Sequence, residues 1–73
     1  MQITLYTLPT CGICKVMSMK MQQKNINFEE KPFNEIFNLI QTDRAPALQI
    51  INDNGETTIY NSPKQIAEWI NQQ

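Results

Sequence analysis

The two cysteines of this 73-residue chain, Cys11 and Cys14, stand only three positions apart. A disulfide between them closes a very short loop, which restricts the unfolded chain least among possible disulfides. No disulfide of this pair can therefore cross-link distant segments of the chain, as disulfides do in many small secreted domains. With 41% hydrophobic residues, the chain must be held by a core, and its length supports one small domain over residues 1–73.

The charge pattern argues against several classes of function. The formal net charge is −1 and the six basic residues are scattered, so nothing predicts binding to nucleic acid or to an anionic membrane. The longest apolar runs are too short for a transmembrane helix. The first residues lack the basic and apolar regions of a secretory signal. We expect a cytoplasmic, monomeric protein.

The hydrophobic periodicity predicts alternating strands and helices. Residues 12–24 contain no proline, and Ile13, Val16, Met17 and Met21 recur at helical spacing, which predicts a helix with an apolar face. The order of elements indicates a right-handed βαβ unit with parallel strands, followed by a hairpin and a last helix. The predicted elements are a strand at 3–7, a helix at 12–24, a strand at 26–30, a helix at 33–40, strands at 47–51 and 56–60, and a helix from 63 onwards. We expect Ser62 to cap this last helix, with Pro63 at its first position and Gln65 where a capping box has Glu or Gln.

The pair of cysteines lies where the first strand meets the first helix. Unpaired N–H groups and the dipole at a helix N-terminus favour a thiolate, and Lys15 adds a nearby positive charge. Cys14, one turn along, is close enough to attack a mixed disulfide formed at Cys11. The motif therefore predicts redox chemistry with Cys11 as the nucleophile and Cys14 as the resolving thiol.

Two other interpretations apply to the cysteines: they form half of a zinc site, or they are inert and buried. A zinc site needs four ligands, and the chain contains no histidine and no third cysteine. Redox chemistry is therefore favoured over both alternatives.

The residues around the motif also carry a family resemblance. The segment 6–14, Tyr-Thr-Leu-Pro-Thr-Cys-Gly-Ile-Cys, with the later segment 44–48, Arg-Ala-Pro-Ala-Leu, resembles a glutaredoxin of the thioredoxin superfamily. More narrowly, the chain is similar to the short glutaredoxin-like proteins of low-GC Gram-positive bacteria and their phages. The resemblance covers essentially the whole chain. It implies an α/β, thioredoxin-like fold of order β-α-β-α-β-β-α, with a four-stranded mixed sheet flanked by three helices, and thiol–disulfide exchange.

The resemblance also assigns roles to residues. Cys11 and Cys14 match the catalytic pair, and Pro46 matches the superfamily's cis-proline, although an ordinary trans proline opening a strand is the plain reading from sequence alone. Ala45 would pair its backbone with a bound peptide or with glutathione. The implied substrate-binding residues are Tyr6, Thr10, Gly12, Ile13, Ala45 and Pro46.

Several positions depart from the family pattern. Gly12 replaces the motif proline, Leu8 replaces a basic residue that meets a glutathione carboxylate, and Arg44 replaces the usual threonine. The acidic pair that meets the ligand's amino end has no counterpart at Asn61 and Ser62. Since these contacts recognise an anionic tripeptide, we expect glutathione to be at most a weak co-substrate.

The leading hypothesis is thus a thiol–disulfide oxidoreductase without a cofactor. Its partners would be a protein disulfide, by family analogy that of ribonucleotide reductase, and a thioredoxin-reductase-type enzyme or another dithiol as reductant. The alternative is a module that holds a [2Fe–2S] cluster between two subunits through Cys11 and glutathione, because some family members with a small residue at the position of Gly12 do so. A third hypothesis, a non-redox adaptor, fits poorly with an intact pair of cysteines.

Overall fold

The structure is a computed structural model that describes residues 1–36 and 45–73. Within these ranges a four-stranded mixed sheet has the strand order β2-β1-β3-β4. β1 and β2 are parallel, whereas β1 with β3 and β3 with β4 are antiparallel. The elements are β1 (Gln2–Thr7), α1 (Gly12–Gln23), β2 (Glu29–Pro32), β3 (Ala47–Ile51), β4 (Thr57–Tyr60) and α2 (Pro63–Asn71).

This arrangement confirms the predicted α/β, thioredoxin-like architecture. Five of the predicted elements fall within one or two residues of their expected bounds. The helix predicted at 33–40 is helical at residues 34–36, and its remainder, with Phe37 and Ile40, lies outside the described residues.

The main core lies between the sheet and the two helices α1 and α2. Strand residues of one face meet Met17 and Met21 of α1 and Ile66 and Ile70 of α2. A second cluster on the opposite face of the sheet contains Tyr6 of β1 and Ala47 of β3 together with Phe33 and Ile36. Because successive strand residues point to opposite faces, β1 contributes side chains to both clusters. The strand residues of the main core are Ile3, Leu5, Leu48 and Ile50.

The buried side of α1 differs from the predicted apolar face. Its buried residues, which we call the inner face, are Cys14, Met17, Ser18 and Met21. Ile13 is 49% exposed and Val16 is 48% exposed, so their predicted place in the core was wrong. The helix packs through the row at i, i+3, i+4 and i+7, and this row includes the small side chains of a cysteine and a serine.

The end of α1 explains why β2 begins later than predicted. Asn25 adopts a left-handed backbone with φ of 58°. The Ile26 N–H donates to the Met21 carbonyl and the Asn25 N–H donates to the Gln22 carbonyl, which is a Schellman motif. Residues 26–28 complete this turn, and pairing with β1 starts at Glu29 opposite Thr4.

The start of α2 agrees only in part with its predicted cap. Ser62 occupies the N-cap position and Pro63 begins the helix, but the Ser62 side chain makes no capping hydrogen bond. The first helical bond runs from the Ile66 N–H to the Ser62 carbonyl. The predicted capping box with Gln65 was therefore wrong, and the fixed φ of the proline is the local device that starts this helix.

Candidate active site

Cys11 and Cys14 are joined as a disulfide at the start of α1, with their Cα atoms 5.3 Å apart. After β1 the chain turns through residues 8–11, where the Cys11 N–H donates to the Leu8 carbonyl at 3.1 Å. This turn leaves Cys11 as the N-cap of α1 with an extended backbone. The Cys14 N–H then donates to the Cys11 Sγ at 3.1 Å. An amide of the first helical turn therefore points at the sulfur of Cys11, which favours negative charge there.

The two cysteines differ in their exposure. Cys14 is 1% exposed, whereas Cys11 is only half-buried. A bulky disulfide can therefore approach Cys11, while Cys14 can be reached only from within the protein or from the adjoining cleft. This asymmetry supports the roles predicted for the two thiols.

A cleft of about 370 Å³ lies beside Cys14 and is lined by residues of α1, the end of β1, the turn after it, and β2. Its apolar wall is formed by Leu8, Pro9 and Met19. Its other residues are Thr7, Cys14, Lys15, Ser18 and Glu30. The cleft thus brings one cation and one carboxylate to the side of Cys14, and it can admit water.

Ser18 and Glu30 were not among the predicted site residues. Ser18 is 7% exposed on the inner face of α1, and its hydroxyl donates to Glu30 Oε1 on β2. The amide of Gln22 donates to the same Ser18 oxygen at 3.4 Å. The spacing of four residues between Cys14 and Ser18 could have indicated that Ser18 belongs to the site, since residues four apart share a helix face.

The Ala45–Pro46 peptide bond is cis, as the resemblance implies. Pro46 is fully buried, and its carbonyl accepts a hydrogen bond from the Asn61 side chain at 3.4 Å. Ala45 is partly buried against the second core cluster. The adjoining Arg44 lies outside the described residues. The predicted role of Ala45 and Pro46 in binding a substrate backbone stays a prediction.

Tyr6 is placed apart from the cleft. It is 8% exposed in the second core cluster. Its hydroxyl donates to Gln49 Oε1 at 3.1 Å. It lines a separate groove with residues of β1, β2 and β3. The structure therefore does not bring Tyr6 into the cleft with Cys14, and its predicted contact with substrate remains untested.

Thr10, Gly12 and Ile13 surround Cys11 on the surface, and all three are exposed. A Cβ atom added to Gly12 would meet nothing within 4 Å. No packing contact therefore requires glycine at this position.

No metal centre is built from residues 1–36 and 45–73, where no three His, Cys, Asp or Glu side chains come together. In the same ranges no helix is long and apolar enough to cross a membrane. The predicted [2Fe–2S] alternative draws ligands from glutathione and from a second subunit, and it stays a prediction.

No family model and no curated protein matches the chain. Among solved structures, a trimeric glutathione transferase from Leishmania superposes with a TM-score of 0.69 over 96% of this chain. The fold is thioredoxin-like. The sequences are 16% identical, and the match covers 17% of that transferase, so the likeness is one of fold. A thioredoxin-like fold with a Cys-x-x-Cys pair at the start of its first helix fits thiol redox chemistry.

Proposed function

We propose that this protein is a thiol–disulfide oxidoreductase that reduces protein disulfides in the cytoplasm. The observation that carries the proposal is the asymmetry of the pair at the start of α1. Cys11 is accessible and its sulfur accepts an N–H of the first turn, whereas Cys14 is buried beside it within disulfide distance. This is the arrangement that a nucleophile and its resolving thiol need.

The reaction then follows two exchanges. The Cys11 thiolate attacks one sulfur of the client disulfide, and the other client sulfur leaves as a thiolate and takes a proton from water. Cys14 loses its proton and attacks the Cys11 Sγ of the mixed disulfide. The bond between Cys11 and the client breaks, its electron pair leaves with the client sulfur, and the Cys11–Cys14 disulfide of this structure forms. Two electrons pass from the protein to the client.

The surface beside the pair supports a protein as the client. On α1, Ile13, Val16 and Met19 are 49%, 48% and 58% exposed and follow one another at spacings of three. We call these three residues the outer apolar row. Exposed apolar residues that lie together mark contact surfaces. Residues 12–23 include Lys15 and Lys20 but no acidic residue, so the matching client surface would be apolar with acidic groups at its rim.

The electron donor in this proposal is a thioredoxin-reductase-type enzyme or another protein dithiol. Leu8 is exposed at the entrance of the cleft, at the position where a basic residue would meet a glutathione carboxylate. The polar group at Asn61 is a neutral amide that donates to the Pro46 carbonyl. Within residues 1–36 and 45–73, the cation that the cleft offers to an anionic tripeptide is Lys15. The solved neighbour is by its name a glutathione transferase, and glutathione belongs among the donors that are compared.

Trapping the mixed disulfide tests the roles of the two thiols. Cys14→Ser should accumulate a covalent adduct between Cys11 and a disulfide-containing protein client, such as oxidised ribonucleotide reductase, because the second exchange is removed. Cys11→Ser should form no adduct and reduce no client. In the reduced wild-type protein, Cys11 should alkylate faster than Cys14 at neutral pH. Reduction of a client by Cys11→Ser, or equal alkylation of both thiols, would contradict the proposal.

Supplying the donors separately tests the source of electrons. We expect slow reduction of the Cys11–Cys14 disulfide by glutathione with its reductase, and faster reduction by a thioredoxin reductase, both followed as loss of the disulfide on alkylation gels. Efficient reduction by glutathione alone would make this protein an ordinary glutaredoxin in its choice of donor.

A further inference from the structure

The second exchange raises a problem of proton transfer that the geometry of the cleft addresses. Cys14 enters that step as a thiol, and its proton must leave before the sulfur can attack Cys11. At 1% exposure, Cys14 has little direct contact with bulk water. A proton acceptor inside the adjoining cleft would remove this barrier.

Glu30 is the carboxylate of that cleft. It lines the same space of about 370 Å³ as Cys14. Within residues 1–36 and 45–73, the other ionisable side chain beside Cys14 there is Lys15 of α1, because the end of β1 and the turn after it contribute Thr7, Leu8 and Pro9. Lysine at neutral pH is a cation and has no lone pair to accept a proton. The carboxylate is therefore the group of the cleft with the chemistry of an acceptor.

Ser18 holds this carboxylate in place. Its hydroxyl donates to Glu30 Oε1 from the inner face of α1, one turn after Cys14 on the same side of the helix. Gln22 donates to the Ser18 oxygen from the next turn. Ser18 is a buried polar side chain, with 7% of its surface exposed. A hydroxyl buried in a core position is costly unless it is paired, and here its partner is the carboxylate that lines the cleft together with Cys14.

The neighbouring carboxylate provides a contrast. Glu29 points to the other side of β2, as successive strand residues do. There it lines the groove that also contains Gln2, Thr4 and Lys31, and it lies 3.7 Å from the Lys31 ammonium. One acidic residue of β2 thus lines the cleft with Cys14, and the other lines the groove on the opposite face of the sheet.

We propose that Glu30 is the proton acceptor for Cys14 in the resolving step, and that Ser18 positions it. As the Cys14 sulfur attacks the Cys11 Sγ, its proton passes to the Glu30 carboxylate, and the client leaves with the electron pair of the broken S–S bond. Glu30 is exposed to solvent and returns the proton to water. The inference rests on the proposed function, because it assumes that Cys14 is the resolving thiol.

A chromogenic aromatic disulfide, dithiobis(nitrobenzoate), separates the two exchanges. Mixed in equimolar amount with the reduced protein, it releases one coloured thiolate when Cys11 attacks and a second when Cys14 resolves the mixed disulfide. Stopped-flow absorbance therefore records two phases. The decisive variant is Glu30→Gln, in which the amide oxygen still accepts the Ser18 hydrogen bond but takes up no proton at neutral pH. The matched control is Glu29→Gln.

At neutral pH we expect Glu30→Gln to slow the second phase at least about tenfold while leaving the first phase unchanged. Raising the pH should bring the second-phase rate of Glu30→Gln closer to that of the wild type, because hydroxide then removes the Cys14 proton. Glu29→Gln should match the wild type in both phases. Ser18→Ala should slow the second phase less than Glu30→Gln does, since the carboxylate remains.

Three results would overturn the inference. They are a second phase in Glu30→Gln equal to that of the wild type, a slowing by the same factor at every pH, and a larger effect of Ser18→Ala than of Glu30→Gln. A failure of the proposed function looks different, because the first phase would then persist in Cys11→Ser or be missing from the wild-type protein.

Discussion

The inner and outer sides of α1 carry similar amounts of apolar side chain but are used differently. The inner face places Met17 and Met21 against the sheet and α2, and both are nearly or fully buried. On the outside, Ile13, Val16 and Met19 remain about half exposed, and no element within residues 1–36 and 45–73 covers them. Hydrophobicity alone therefore does not decide burial on this helix. The inner face stabilises the fold, and we infer that the outer apolar row serves recognition.

The largest expected effect comes from truncating a methionine of the inner face. Met21 is fully buried, and Met21→Ala should lower the free energy of unfolding by about 2–5 kcal/mol. Met19→Ala, a matched truncation on the outer side, should change it by no more than about 0.5 kcal/mol. Denaturant unfolding followed by circular dichroism measures both. If both variants lost a similar free energy of unfolding, the inner and outer sides of α1 would not differ in their contribution to stability.

A charge on the outer apolar row should affect client reduction more than stability. Val16→Glu exchanges an exposed side chain on a helix for a good helix former, so the free energy of unfolding should change by less than about 0.5 kcal/mol. Reduction of a protein disulfide should slow about tenfold, which corresponds to about 1.4 kcal/mol. Reduction of a small aromatic disulfide should not change.

The control for this variant is Gln65→Glu, which adds the same charge at an exposed position on α2. It should leave both reactions unaltered. If Gln65→Glu slowed protein reduction as much as Val16→Glu does, net charge rather than the outer apolar row would be responsible.

The smallest effect is expected at a surface contact outside α1. The hydrogen bond from the N-terminal ammonium of Met1, and then its charge, lower the pKa of Asp53 below its usual value. A depressed pKa in the folded state means that this contact stabilises the protein above the unfolded pKa and that the contribution is lost as the pH falls through the folded pKa.

Asp53→Asn should therefore be slightly less stable than the wild type at neutral pH, and the difference should disappear in acid. The contact is exposed to solvent, so salt should weaken it. Thermal unfolding across a pH series checks this. A difference that grew as the pH fell would reverse the assigned direction of the shift.

Much of the fold could be predicted because local signals agreed with one another. The β-branched run of β1, the break at Pro9 and the proline at the start of α2 each act through neighbouring residues. The position of the Cys11–Cys14 pair at a strand–helix junction followed from the same signals. The late start of β2 could not be predicted. It depends on how many residues follow the Schellman turn at Asn25 before pairing with β1 begins.

The candidate site was predictable only where its residues are close in sequence. Cys14 follows Cys11 by one helical turn, so their proximity is a local property. Glu30 reaches the same cleft from a different element, after a full helix and a turn. The sequence did not indicate whether Glu29 or Glu30 lies on the side of the sheet that faces α1. Neighbouring strand residues point to opposite faces, and only the register of pairing decides which face each residue occupies.

The sequence by itself determined the order of strands and helices, the place of the redox pair and the residue types available to it, because these depend on periodicity and spacing along the chain. The tertiary structure decided which side of α1 is buried and which carboxylate stands beside Cys14. A helix with methionines, isoleucine and valine on several sides can pack in more than one orientation. The sheet, α2 and the hydrogen bond between Ser18 and Glu30 select one, and that selection leaves the outer apolar row exposed to solvent.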